Sequence, residues 1–119
     1  METNTMNLND FSQLNKDRCE SKRGFGHQLN SWSLSDWLLA TLGELGEAAN
    51  IVKKLNRVRD NIKGNKETYE ELQEKLEQEL ADTFIYLNLT MQAAGFSPEV
   101  IVRKTFNNKS KEIGFTKLL

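Results

Sequence analysis

The chain has 119 residues, enough for one domain, 1–119, built around a single moderate core. Charged residues make up 28% and the formal net charge is -1, which argues against a nucleic-acid binder, since that needs a basic excess or patch. No stretch approaches the roughly 18 apolar residues that cross a bilayer, METNTMNLND has no basic flank before an apolar run, and the lone Cys19 cannot form an internal disulfide, so a soluble protein of the reducing cytoplasm, without membrane or nucleic-acid partners, is expected.

One proline and few β-branched clusters predict an all-α chain. A first helix is expected over about 8–23, with Leu8, Phe11 and Leu14 on one side. Cys19 falls there among Asp17, Arg18, Glu20 and Lys22, on a stretch that reads as polar surface. Nothing local would lower its pKa, so it makes a poor nucleophile. GFGHQLNSWS (24–33) carries two glycines and reads as a loop. Ser33 or Ser35 can cap the second helix, and Ser33 with Asp36 has capping-box spacing. That helix should reach about 59. DNIKGNKET around Gly64 is a polar turn, and a third helix follows over about 67–94, stopped by Gly95. Ser97 and Pro98 provide an N-cap and a proline at the first position of a last helix reaching about 112. Two long helices joined by a short turn form an antiparallel pair, and the expectation is an antiparallel bundle of about four helices.

The second helix has an apparent inner seam of Leu38, Leu42, Leu45, Ala49 and Val52. Glu44 and Glu47 of GELGEAAN lie off that seam, on a face that also carries Ala40, Ile51 and Val58, with Trp37 and Leu55 at its edge. A helix with two apolar faces must be covered on both sides, and so short a chain has few helices to do it. A homodimer or homotetramer that completes the bundle is therefore expected.

The third helix repeats the acidic spacing, with Glu79 and Asp82 next to Thr83, Phe84, Ile85 and Leu87. Taken singly, either pair reads as a solvated helix face. Taken together, on helices that pack antiparallel, four carboxylates converge and repel one another unless protons or a cation relieve them. Hard divalent cations do so, and Mg²⁺ prefers carboxylate oxygen and commonly bridges to phosphate. His27 is the only histidine, which disfavours zinc and di-iron sites. Lys53, Lys54 and Arg57 follow Glu47, while Lys104, Lys109 and Lys111 cluster with Asn107 on the last helix. Beside an acid cluster they suggest phosphates bridged to the cation. There is no GxxxxGK[ST] motif.

ExxE on one helix and ExxD on the next resembles the MazG-like all-α nucleoside triphosphate pyrophosphohydrolases, in their small stand-alone, phage-type form. GELGEAANIVKKLNR, LEQELADTFIYLNL and TFNNKSKEIGF occur in the family's order and span most of the chain. The resemblance implies Mg²⁺-dependent (or Mn²⁺-supported) hydrolysis of a nucleoside triphosphate to the monophosphate and pyrophosphate. Glu44, Glu47, Glu79 and Asp82 would be the metal ligands and the catalytic residues, acting on a water that the cation acidifies. Lys54 and Lys104 would neutralise phosphate, Asn107 would bond phosphate or sugar, and Asn50 would contact substrate. Asn15, Arg18, His27 and Trp32 fall where relatives build the nucleoside pocket, although Trp32 reads equally well as a packing residue. Gly43 stands where the family often has a further acid, and the insert around 63–68 reads as a longer turn or a substrate lid. A relative acting on another phosphorylated substrate, or a non-catalytic nucleotide-binding or interaction helical dimer, are the competing readings.

Overall fold

The structure, a computed structural model, describes residues 5–119; the expectation drawn from the first ten residues falls partly on 1–4, outside the described residues. The described chain forms four α-helices with no strand: α1 Leu8–Glu20, α2 Leu34–Arg59, α3 Tyr69–Ala93 and α4 Pro98–Ile113, with one 3-10 turn at Leu29–Ser31. Each N-terminus is closed by its own short polar side chain. Asn7 accepts from the Asp10 N–H, and Ser33 with Asp36 forms the reciprocal capping box that the sequence spacing indicates. Thr68 with Glu71 makes a second capping box, and Ser97 precedes Pro98 on α4. Gly114, at φ 80°, ends α4 in the left-handed conformation that glycine tolerates best.

α1 stops at Glu20, three residues short of expectation. The chain turns back there, with the Phe25 N–H donating to the Arg18 carbonyl at 2.9 Å and the His27 N–H to the Cys19 carbonyl at 2.8 Å. A Cβ at Gly24 would collide with that Arg18 carbonyl oxygen, so only glycine fits the bend.

α2 and α3 pack as an antiparallel hairpin. Thr41 and Thr90 share a hydroxyl hydrogen bond of 2.8 Å near the open end, and Lys54 meets Glu67 near the turn. The linker between them takes its shape from Asn61 (φ 55°) and Gly64 (φ 128°). α1 lies against α3, with the Phe11 and Phe84 rings 5.6 Å apart. α4 packs on α1 and α3 and does not meet α2 among the described residues. The small core gathers Cys19, Leu29, Trp37 and Leu89, flanked by Tyr86 and Ala93. Trp37 is 1% exposed, and its indole N–H donates to the Leu29 carbonyl at 2.9 Å.

Three sequence expectations are corrected. The leucine seam of α2 is not the inner face within this chain: Leu38, Leu42, Leu45 and Val52 are exposed, while Trp37, Thr41, Ala48 and Ile51 are buried. The acid-bearing stripe wins the contact with α3 because Trp37 anchors it and the threonine hydroxyls satisfy one another across the interface. On α1 the buried side is Ser12, Asn15 and Cys19, while Leu14 is exposed. Cys19 is thus a buried residue and not a surface one, its thiol donating to the His27 carbonyl at 3.0 Å.

The radius of gyration is 17.8 Å, against about 13.5 Å for a compact domain of this length. One chain is therefore an open arrangement of helices with much apolar surface uncovered.

Candidate functional site

The register of the hairpin brings the two acid pairs together. One carboxylate oxygen from each of Glu44, Glu79 and Asp82 lies within 4.8 Å of the others. Glu47, exposed at one edge, is within hydrogen-bonding reach of Glu79. The sequence-predicted ligands thus form one cluster drawn from two facing helices. Its electrostatics show the crowding. Glu79 is pushed up to about 7, first by the hydrogen bond it shares with Glu47, then by desolvation and by the charges of Glu47, Glu44 and Asp82. Glu44 is also raised, chiefly by burial and then by Glu47 and Asp82.

One atom marks the strain most clearly. Oε2 of Glu79 is buried and has no hydrogen-bond partner among the described residues. A buried acceptor among other acceptors needs either a proton or a cation. The donor set is all oxygen, and the group offers oxygens from two or more side chains to one point. Those are the demands of a hard divalent ion such as Mg²⁺ or Mn²⁺, so the residues present fit such an ion.

The cluster sits between two openings. On the Asp82 side is a cavity of about 250 Å³, whose lining includes Asn15, Arg18, His27, Trp37 and Tyr86. His27 stacks on Trp37 with ring centroids 5.1 Å apart and planes 20° from parallel. Trp32 packs edge-on against both rings and is not part of the cavity wall described by those residues. Of the four sequence-predicted nucleoside contacts, three therefore line the cavity and Trp32 supports one of them from behind. Arg18 lies over the Phe25 ring at 5.7 Å. Tyr86 is held protonated by burial and by the nearby Glu44 and Asp82 charges.

Asn15 is oriented by a network that sequence reading missed. Its amide N–H groups donate to the Ile85 carbonyl at 3.0 Å and to Oδ1 of Asn88 at 3.1 Å. Asn88 in turn donates to Ser12 Oγ, and Gln92 donates to both Asn88 Oδ1 and the Ser12 carbonyl. Backbone carbonyls accept only, so the network has one sense, and it leaves the Asn15 oxygen without a hydrogen-bond partner among the described residues, on a residue that lines the cavity. Asn88 and Gln92, four apart on α3, were legible only as ordinary polar helix positions.

On the Glu47 and Glu79 side lies a groove of about 570 Å³ that also takes in Asn50, Lys54, Glu67 and Lys75. Asn50 and Lys54 are thus placed beside the acids as expected. Glu67 and Lys75 are new. Spacing held a signal for Lys75, which lies four residues before Glu79 and so on its helix face. Lys104 and Asn107 are elsewhere: both lie on α4, and the Asn107 side chain pairs with the backbone of Leu119 at 2.9 and 3.1 Å. Within one chain α4 does not meet α2, so the structure does not bring these two to the acids.

No family model, curated protein or solved structure gave a match to this chain.

Proposed function

We propose that the protein is a Mg²⁺-dependent nucleoside triphosphate pyrophosphohydrolase of the MazG-like all-α type, releasing the monophosphate and pyrophosphate. The observation that carries this reading is the position of the acid cluster, between an aromatic-lined cavity and a groove that ends in lysines. A nucleotide laid across it would put its base in the cavity, its reacting phosphates at the acids and its outer phosphates toward Lys54.

In this reading Glu44, Glu47, Glu79 and Asp82 hold the cation, which when bound neutralises phosphate oxygens and makes a nearby water more acidic. The chain's own groups do the rest. His27, backed by the buried Trp37 ring, offers an imidazole face beside the base, and the Asn15 oxygen accepts from a base N–H. Glu47, exposed and lining the groove, would take the proton of an attacking water. Lys54 draws negative charge toward the groove, away from the reacting bond.

A second copy of the chain is part of the proposal. The exposed Leu38, Leu42 and Leu45 seam needs permanent cover, and an always-present partner for such a face is the same protein. A homodimer or homotetramer would also give Lys104 and Asn107 a route to a neighbouring subunit's groove. A cytoplasmic setting suits a nucleotide-pool enzyme with a free buried thiol.

The test is pyrophosphate release from a panel of ribo- and deoxynucleoside triphosphates with and without Mg²⁺. Turnover of at least one nucleotide, lost on chelation and reduced at least about a hundredfold in Glu47→Gln or Asp82→Asn, is expected. Tight nucleotide binding with no hydrolysis by the native chain would replace the enzyme by the non-catalytic binding dimer.

A further inference from the structure

The linker between α2 and α3 carries a carboxylate that the proposed chemistry does not use. Glu67 folds back over the groove and its Oε2 sits 2.7 Å from Lys54 Nζ and 3.4 Å from Lys75 Nζ. The contact is built on both sides. Asn65 donates to the Lys54 carbonyl at 2.8 Å and accepts from Arg57 at 3.5 Å, which ties the linker to the end of α2. Thr68, next to Glu67, caps α3, so the linker is anchored to that helix as well. The Glu67 side chain is only 12% exposed, whereas those of Lys54 and Lys75 are 26% and 50% exposed. Lys54 first, then a backbone N–H and, more weakly, Lys75 hold Glu67 at about 2.

The two ammonium groups come from opposite helices and meet at one anion. Lys54 lies two turns after Glu47, and Lys75 one turn before Glu79, so both stand on the acid-bearing faces. The groove is therefore charge-segregated, with acids at one end, two lysines at the other and a single internal carboxylate between the lysines. If Glu67 served only to staple the linker, one lysine would suffice. Two cations from facing helices, beside an acid cluster suited to a divalent ion, make a seat for an anion richer in charge than one carboxylate.

We propose that Lys54 and Lys75 form a subsite for the outer phosphates of the substrate and for the pyrophosphate product, and that Glu67 occupies this subsite until they displace it. The inference rests on the reading of the acid cluster as a phosphate-processing site and adds to it a ligand group, Lys75, and a built-in competitor, Glu67. The linker thereby becomes a latch over the leaving-group end of the groove. Displacing Glu67 releases its carboxylate from the Lys54 and Lys75 ammonium groups, while Asn65 still ties the linker to the Lys54 carbonyl.

The experiment is titration of the full-length protein with inorganic pyrophosphate by calorimetry, in chelator and without divalent cation, so that the lysines alone are probed. Native protein should bind weakly. Glu67→Gln, which keeps the shape and removes the charge, should tighten binding about tenfold, the scale of one charge-assisted contact. Adding Lys75→Met to Glu67→Gln should remove that gain. Lys75→Met alone should weaken native binding while leaving the melting temperature nearly unchanged, since its side chain is half exposed. Unchanged affinity in Glu67→Gln, or a gain that survives Lys75→Met, overturns the proposal and leaves Glu67 a structural ion pair. Because the readout is metal-free binding, a failure of nucleotide hydrolysis would show separately, in the nucleotide panel.

Discussion

The two long faces of α2 make opposite use of their residues. The outer face, Leu38, Leu42, Leu45 and Val52, has the more regular apolar repeat and is exposed. The inner face alternates Trp37, Thr41, Glu44, Ala48 and Ile51, mixing an indole, a hydroxyl and a carboxylate, and it is the one packed on α3. Apolar periodicity says that a face will be covered; it does not say by what. A face that carries acids can be covered only by a partner able to answer them. Here α3 supplies Thr90, which pairs with Thr41, together with Glu79 and Asp82, which add to the acids of α2 in antiparallel register and leave them to a proton or a cation. The leucine face asks nothing so specific and is left exposed.

The sharpest way to break this contrast is at Trp37. Trp37→Ala removes the largest fully buried side chain and its hydrogen bond to Leu29, and should cost about 3–5 kcal/mol, read by chemical denaturation. A cost below 1 kcal/mol would mean that the inner face does not anchor the fold. Leu42→Asp on the outer face should do the reverse. Helix content by circular dichroism should persist while the mass measured by light scattering falls to that of one chain. A loss of helicity in place of dissociation would show that α2 cannot stand without its outer partner.

The third prediction concerns the acids. Glu79 is raised to about 7 in the folded chain from an ordinary glutamate value of 4.5. Protonation is thus favoured by folding: this contribution is complete below about 4.5 and is lost as pH rises through about 7. Metal-free protein should melt at progressively lower temperature across that window, and Mg²⁺ should restore the loss above pH 7. In Glu79→Gln both the slope and the Mg²⁺ response should shrink. An identical pH profile in that variant would rule out Glu79 as the strained group. The smallest effect is expected at Thr90→Val, which deletes the hydroxyl shared with Thr41 and should cost about 1 kcal/mol without touching metal-dependent behaviour.

Much of this architecture was legible from local chemistry. Ser33 with Asp36, Ser97 with Pro98, and Gly95 mark helix ends because caps and stops act within one turn. The two acid pairs were legible for the same reason: residues three apart share a helix face regardless of what lies opposite. Less was legible on α1. Leu14 looked like core and Cys19 like surface, yet the buried side is the polar one, because Asn88 and Gln92 on α3 satisfy Ser12 and Asn15. Hydropathy cannot foresee a polar group whose partner is more than seventy residues away.

Composition and spacing by themselves determined that the chain is all-helical, where three of its four helices begin, and that two acid pairs point from two faces of a hairpin. Those properties follow from backbone hydrogen bonding and helix geometry, which extend over one or two turns. Only the tertiary structure decided which face of α2 turns inward, which partners the Asn15 amide nitrogen finds, and that Glu67 comes to rest between Lys54 and Lys75. Each of these depends on donors, acceptors or charges from distant segments meeting in one register, and the free energy of such a meeting is written in no single stretch of the chain.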